Sequence, residues 1–319
     1  MCKGPTEPAK PVFKRKHSLL LTKESFDYSD EKHGEEFAPN PSPAPTQTST
    51  CITIAFVIVV LCVFETLAEH FLEKNQHIHP LFESENNRAI MARHLGVDII
   101  ALGTCALLGL KNIDICKDVF SCFLSRSKKS MPEAGYETRL FTYHPAGQQL
   151  LLIFFAYNIK NLYDSYIWED GPEFLFHHIV SATVAWAGMY PGCGHFYAIF
   201  FMGLSECSTA VLSLLAGFDD NYGVVGLGDA FPMTKIVLGV TFAISFIIFR
   251  ATLWPAFTYF IFRDYKLAFK MKSEKLKGRE NALTLIIVIC GALTVLQAIW
   301  LVQIFIEGRN EIMKLLEAE

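Results

Sequence analysis

Two adjacent histidines, His177 and His178, lie about one turn inside the apolar segment FLFHHIVSATVAWAGMYP, residues 174–191. Among the charged residues inside other apolar segments, we single out Asp98, Asp164, Glu206 and Arg250. A charge at the centre of a bilayer costs about 2.5–3.5 kcal/mol on insertion scales, so each of these residues is a candidate for function. A carboxylate beside an imidazole fixes its tautomer and stabilises the imidazolium, which prepares the histidine to act as a base or a nucleophile.

The composition is that of a membrane protein. Of the 319 residues, 51% are hydrophobic, which is high for a soluble chain of this length. The net charge is only −4 and long basic runs are missing, which argues against nucleic acid as a partner. The nine cysteines are scattered and show no His/Cys metal spacing, so we expect no metal site.

Seven apolar runs are long enough to cross a membrane as helices, because lipid leaves no other partner for the backbone. They cover residues 51–68, 91–110, 150–167, 174–190, 196–217, 235–262 and 283–306. The sequence therefore predicts an all-α membrane protein with seven transmembrane helices. Polar composition predicts a disordered tail over residues 1–49, followed by a first transmembrane helix over 50–72 and, at the other end, a short C-terminal tail over 309–319.

The charge distribution orients these helices. The tail and the connections between spans two and three and between spans six and seven carry nearly all Lys and Arg, which predicts that they are cytosolic. The loop WEDGPE, residues 168–173, is then lumenal or external. With this threading the carboxylates of Asp98 and Asp164 share one layer with the two histidines, about one to two turns deep.

Adjacent helical residues point about 100° apart, so His177 and His178 cannot face the same partner. We expect one to contact a reacting group or a lipid head and the other to hydrogen-bond a neighbouring helix. Glu206 and Arg250 both lie at mid-membrane and are predicted to pair across a helix interface. The simpler structural interpretation is that the histidines only bridge helices through hydrogen bonds, and that Asp164 is a solvated helix end.

Three segments together resemble the TLC-domain family of multi-pass membrane proteins, which includes ceramide synthases and several lipid-homeostasis proteins. They are FLFHHIVSATV at residue 174, LSECSTAVLSL at residue 204 and FIIFRATLWPAF at residue 246. The resemblance covers residues 88–308. It implies a six-helix core bundle around a central cavity for a long acyl chain, in the endoplasmic reticulum or another membrane of the secretory pathway.

The resemblance leaves two functions open. Where ceramide synthases carry His-Asp and a second Asp, this chain has Ser205, Glu206 and Thr209, so it looks more like the non-synthase branch, which is linked to lipid homeostasis. Such a protein would bind lipid with Asp98, Glu206 and Arg250.

The alternative is an N-acyltransferase for a sphingoid base, with acyl-CoA as substrate and no resident cofactor. His177 or His178 would then be the catalytic base or acyl carrier, oriented by Asp164 or Asp98. In ceramide synthases the entry to the His-bearing span is thought to be cytosolic, whereas the charges here predict the opposite side. As partners we expect membrane lipids and long-chain acyl groups, with a homodimer as a further option.

Overall fold

The computed structural model describes residues 44–124, 133–219 and 222–317, and every regular element within these ranges is a helix. The α-helices are α1 Gln47–Lys74, α2 Glu85–Lys111, α3 Lys117–Leu124, α4 Tyr136–Phe141, α5 Pro145–Ile167, α6 Pro172–Met189, α7 His195–Ala216, α8 Leu227–Ala230, α9 Pro232–Lys270 and α10 Glu280–Glu317. Single 3₁₀ turns cover Pro80–Phe82, Ile113–Cys116, Glu133–Gly135 and Glu274–Leu276.

Five of these helices are long and apolar enough to cross a membrane: α1, α2, α7, α9 and residues Glu280–Glu311 of α10. Helices α5 and α6, with 23 and 18 residues, do not belong to this group, because polar side chains lower their mean hydropathy. The predicted all-α, multi-pass membrane fold is thus confirmed, and the count of seven spans stays a prediction.

Six helices pack as a closed ring. In order around the ring, α2 contacts α7, α7 contacts α9, α9 contacts α10, α10 contacts α6, α6 contacts α5, and α5 returns to α2. Helix α1 lies outside the ring against α2 and α5. The first half of α7 also packs on α5, and fully buried side chains such as Phe200, Phe257 and Leu150 belong to the core there.

The connections of the ring helices fall into two sets, because consecutive helices alternate in direction. We call the side with residues 112–124, 133–144, 190–194 and 271–279 the basic end, since two of the three connections there hold Lys and Arg clusters in the sequence. The opposite end carries residues 75–84, 168–171, 217–219 and 222–231. The apolar core described above is nearer the basic end, and Asp98, Asp164, Glu206 and Arg250 are nearer the middle and the opposite end.

Glycines allow close crossing of α2 and α7. A Cβ atom on Gly109 would lie 2.6 Å from the carbonyl carbon of Gly203, and one on Gly203 would lie 2.8 Å from the Cα of Gly109. Helices α1 and α2 cross in the same way, since a Cβ on Gly96 would lie 2.7 Å from the Cα of Glu65. In membranes, small residues at such crossings bring backbones into van der Waals contact.

Three helices of the ring contain π-helical turns. These are His94–Asp98 in α2, Phe200–Leu204 in α7 and Ile247–Leu253 in α9. In α9 the turn precedes Pro255, which has no N–H to donate to the turn before it. Single π turns inside α-helices frequently mark functional sites, and these three carry or adjoin the predicted charged residues Asp98, Glu206 and Arg250.

The ends of the chain differ from the sequence-based boundaries. Helix α1 begins at Gln47 rather than at residue 50, because the Thr46 side chain accepts a hydrogen bond from the Ser49 N–H and caps the helix. Residues 1–43 of the predicted tail lie outside the described residues. Helix α10 continues to Glu317, so most of the predicted C-terminal tail is helical, and residues 318–319 lie outside the described part.

Candidate functional site

His178 is buried and bonded to the neighbouring helix. Its Nδ1 lies 3.0 Å from Oδ1 of Asn158 on α5. Since an amide oxygen only accepts, Nδ1 carries the proton and Nε2 keeps its lone pair. The amide is itself oriented, because its Nδ2 donates to the Phe154 carbonyl oxygen at 2.7 Å. One histidine of the pair therefore bonds a neighbouring helix, as expected from the 100° offset.

His177 points into a different part of the ring. Its ring centroid is 6.3 Å from that of Trp300 on α10, and it lies within electrostatic range of Arg250 on α9. The Nδ1 of His177 is buried and has no hydrogen-bond partner in the described residues. Buried polar atoms are generally hydrogen-bonded, and a bound ligand could supply the missing partner of this nitrogen.

Asp98 is held at the π turn of α2. Its Oδ2 accepts from Nδ1 of His94, one turn earlier, at 2.8 Å, and its Oδ1 accepts from the Tyr157 hydroxyl at 3.2 Å and from Asn161 at 3.4 Å. The direct imidazole partner of Asp98 is thus His94 rather than a member of the pair. The Tyr157 ring nevertheless lies 6.4 Å from the His178 ring, so Asp98 and His178 belong to one polar cluster.

Asp164 is placed elsewhere. Both of its carboxylate oxygens accept from Lys160, at 2.7 and 2.6 Å, and the same ammonium lies 2.8 Å from a carboxylate oxygen of Glu65 on α1. Among the hydrogen bonds of the described residues, none joins Asp164 to either histidine. Asp164 therefore joins the ring to the outer helix α1, and a role in orienting His177 or His178 stays a prediction.

Glu206 and Arg250 form the predicted ion pair, with the guanidinium 3.1 Å from Oε1 of the carboxylate. Their side chains are 3% and 13% exposed. Arg250 also donates to the hydroxyls of Thr209 at 2.6 Å and Ser208 at 3.3 Å, and lies over the Trp254 ring. The guanidinium thus has several partners in a region that excludes water, as a buried charge requires.

The two carboxylates share one interior. Asp98 on α2 and Glu206 on α7 both lie within electrostatic range of the Tyr157 hydroxyl on α5. Together with the histidines on α6 and Arg250 on α9, these polar groups stand on five ring helices. The structure therefore places Asp98 in one cluster with His178 and pairs Glu206 with Arg250, and His177 is in ring contact with His178. Asp164 lies on the side of α1.

Sequence reasoning missed an ion pair at the opposite end. Arg93 of α2 donates to both carboxylate oxygens of Asp170, at 2.6 and 3.3 Å. Burial alone would raise the pKa of the Asp170 carboxyl, but the hydrogen bond and the charge of Arg93 outweigh it and lower the pKa below its ordinary value. The pair holds the short α5–α6 connection, which directs the first turns of α6 and so the histidines.

A second missed network lies at the basic end. Arg139 of α4 donates to both oxygens of Asp264 on α9, at 2.6 and 2.8 Å, and the Tyr197 hydroxyl of α7 donates to the same carboxylate at 2.7 Å. All three side chains are buried. This network joins a short connecting helix to two ring helices, and neither spacing nor periodicity in the sequence indicates it.

The chemistry available at the site is that of hydrogen bonding, charge and proton transfer. Within the described residues no group of three or more His, Cys, Asp and Glu side chains could hold a metal ion. The site contains imidazole nitrogens, hydroxyls and a guanidinium, inside helices whose outer faces are apolar.

The comparisons with known proteins give one match. The family model of the TLC domain matches residues 118–306, which is more than half of the chain. Neither curated proteins nor solved structures give a match to this sequence.

Proposed function

Because the chain belongs to the TLC-domain family of membrane proteins, we propose that it binds a long-chain lipid inside the ring of six helices and acts in lipid homeostasis. The proposal is supported by polar side chains on five ring helices and by the buried Nδ1 of His177, which has no hydrogen-bond partner among the described residues. Polar groups at membrane depth are costly and are candidates for functional sites, substrate sites among them. A lipid head would satisfy them, and its acyl chain would follow the apolar interior.

The proposal includes seven membrane spans. Helices α5 and α6 lie between α2 and α10 in the ring, so they share the depth of helices that are apolar enough to cross. Their polar residues include His178, Asn158 and Lys160, all of which are buried. With seven spans the loop at residues 168–171 lies across the membrane from the basic connections. In line with the family, we propose the endoplasmic reticulum or a related membrane.

A glycan acceptor site tests this sidedness. Placed in residues 168–171, between α5 and α6, it should be glycosylated in microsomes, because positive charges are retained on the cytosolic side. A matched acceptor in residues 271–279 should stay unmodified. The reverse pattern would place the histidines at the cytosolic face and contradict the proposed orientation.

The second candidate is an N-acyltransferase, and the tautomer of His178 favours it. Asn158 holds Nδ1–H, so Nε2 is the basic nitrogen, as in a histidine prepared for general base catalysis. That nitrogen would take the proton of a sphingoid amine as the amine attacks the acyl-CoA thioester, and coenzyme A would leave as the thiolate. An amide bond forms as the thioester bond breaks, which gives the N-acylated sphingoid base and coenzyme A.

Purified full-length protein separates the two candidates. It is incubated with a photoactivatable long-chain lipid and, separately, with labelled acyl-CoA and a sphingoid base. A binding protein shows cross-links on residues facing the ring interior and no turnover, and His177→Phe reduces the cross-links while His70→Phe on the exposed face of α1 does not. Turnover that His178→Ala abolishes and His70→Ala leaves intact shows the enzyme. Cross-links confined to lipid-facing residues, without turnover, would contradict both.

A further inference from the structure

A groove of about 480 Å³ follows the outer face of α6, where α6 packs between α5 and α10. Its lining includes Phe155 and Ile159 of α5, Trp186 of α6 and Leu285 of α10. The volume is within the range of ligand sites, roughly 300–1,000 Å³. None of the six residues singled out from the sequence lines it, so it is separate from the interior cluster.

The groove opens to the membrane and has the length of one leaflet. Ile179 at its inner end is 50% exposed, and Thr183 in its middle is exposed as well. From Ile179 to Tyr190 the α6 segment extends about 16 Å at 1.5 Å per residue. Half of a hydrocarbon core of about 30 Å is about 15 Å. The groove therefore runs from near the midplane to the interface at the basic end.

The mouth of the groove has interfacial aromatic residues and a basic side chain. Trp186 and Tyr190 pack with ring centroids 5.3 Å apart, a pair of types typical of membrane interfaces. Arg279 donates from Nε to the carbonyl oxygen of Pro191, next to Tyr190, at 3.3 Å, and it stands two residues before Asn281, which lines the groove. Among the described residues, no carboxylate forms an ion pair with Arg279.

We infer that this groove binds one acyl chain of an anionic phospholipid, drawn from the leaflet on the basic side, with the phosphate at Arg279. The groove lining is mainly aromatic and aliphatic, and at this depth it faces the hydrocarbon of the bilayer, so its occupant is an acyl chain. The 271–279 connection before Arg279 also carries Lys272, Lys275 and Lys277, of which Lys275 lies 3.6 Å from a carboxylate oxygen of Glu137. A basic residue near the membrane surface favours anionic over neutral lipid by about fivefold.

The acyl-chain part is tested with Thr183→Phe, which fills the groove from its exposed side. Thr104→Phe is a matched control, because Thr104 is also exposed and its hydroxyl also donates to the carbonyl four residues earlier. Native mass spectrometry counts phosphatidylserine bound to the purified full-length proteins. Wild type and Thr104→Phe should retain one more lipid than Thr183→Phe. Equal retention by all three overturns the inference.

The head-group part is tested with Arg279→Gln against Arg309→Gln, which lies at the far end of α10. Wild type and Arg309→Gln should prefer phosphatidylserine to phosphatidylcholine of the same chains, and Arg279→Gln should reduce that preference by about fivefold. Equal retention of both lipids by wild type overturns an anionic ligand.

A measurement on wild-type protein does not depend on the folding of these variants. In vesicles, phosphatidylserine brominated on its acyl chains should quench tryptophan fluorescence more than equally brominated phosphatidylcholine, and Trp186→Phe should remove the difference. No difference in the wild type would also overturn the inference.

Discussion

Substitution of Glu206 and Arg250, singly and together, tests whether the ion pair joins α7 to α9. At the observed 3.1 Å and an effective dielectric constant of about 20, the attraction is about 5 kcal/mol before desolvation is counted. Arg250→Met leaves the carboxylate with the Ser205 hydroxyl, which donates to it at 3.2 Å. We expect this variant to lose about 3–5 kcal/mol of stability, as when one partner of a buried pair is removed.

Glu206→Gln should cost less than Arg250→Met, because the guanidinium keeps the hydroxyls of Thr209 and Ser208 and the amide oxygen can still accept. The double variant should be more stable than the sum of the single effects predicts, by about 2 kcal/mol or more. Reversible unfolding in one fixed detergent measures the four free energies of the cycle, with Arg309→Met as an exposed control. Single effects that add within about 0.5 kcal/mol would refute the reasoning, because uncoupled residues behave in that way.

Two further substitutions test the ring and its connections. Gly109→Ala should destabilise the protein by about 1–3 kcal/mol, because the new methyl group overpacks against Gly203. Gly103 has open space around it, so Gly103→Ala should be neutral or stabilising in thermal unfolding. Equal effects of the two substitutions would contradict the close crossing of α2 and α7. Asp170→Asn should be less stable than wild type at neutral pH. The pKa of Asp170 is lowered in the folded protein, so its pair with Arg93 contributes its full stabilisation above the pKa of the unfolded chain, about 3.9. That difference should shrink as the pH falls through the lowered folded value, and a pH-independent difference would contradict it.

The fold class and part of the site could be predicted from the sequence, because both follow from rules of membrane solvation. Apolar length predicts helices that cross the membrane, and the cost of a buried charge predicts that Glu206 finds a partner such as Arg250. The 100° offset of neighbouring residues predicts that His178 and His177 have different surroundings. None of these inferences requires knowledge of which helices are neighbours.

The remaining contacts depend on neighbours and on local irregularity. His94 and Asp98 are four residues apart, as are Lys160 and Asp164, and this spacing could have indicated both pairs. The pairing of Arg139 with Asp264 could not have been found, because 125 residues separate them and only the tertiary fold brings them together.

The π turn at Ile247–Leu253 has a consequence for how this chain would tolerate insertions and deletions. Such a turn accommodates one residue beyond the regular α-helical repeat, which corresponds to about 100° of rotation about the helix axis. Deleting one residue there would let α9 continue as a regular α-helix, but the part of α9 before the deletion would rotate about the helix axis relative to the part after it. Arg250 could then face Glu206 only if the Trp254 side of the helix turned away from its present contact with Thr294. The additional residue of the π turn thus allows Arg250 to face Glu206 while Trp254, on the same helix, contacts Thr294.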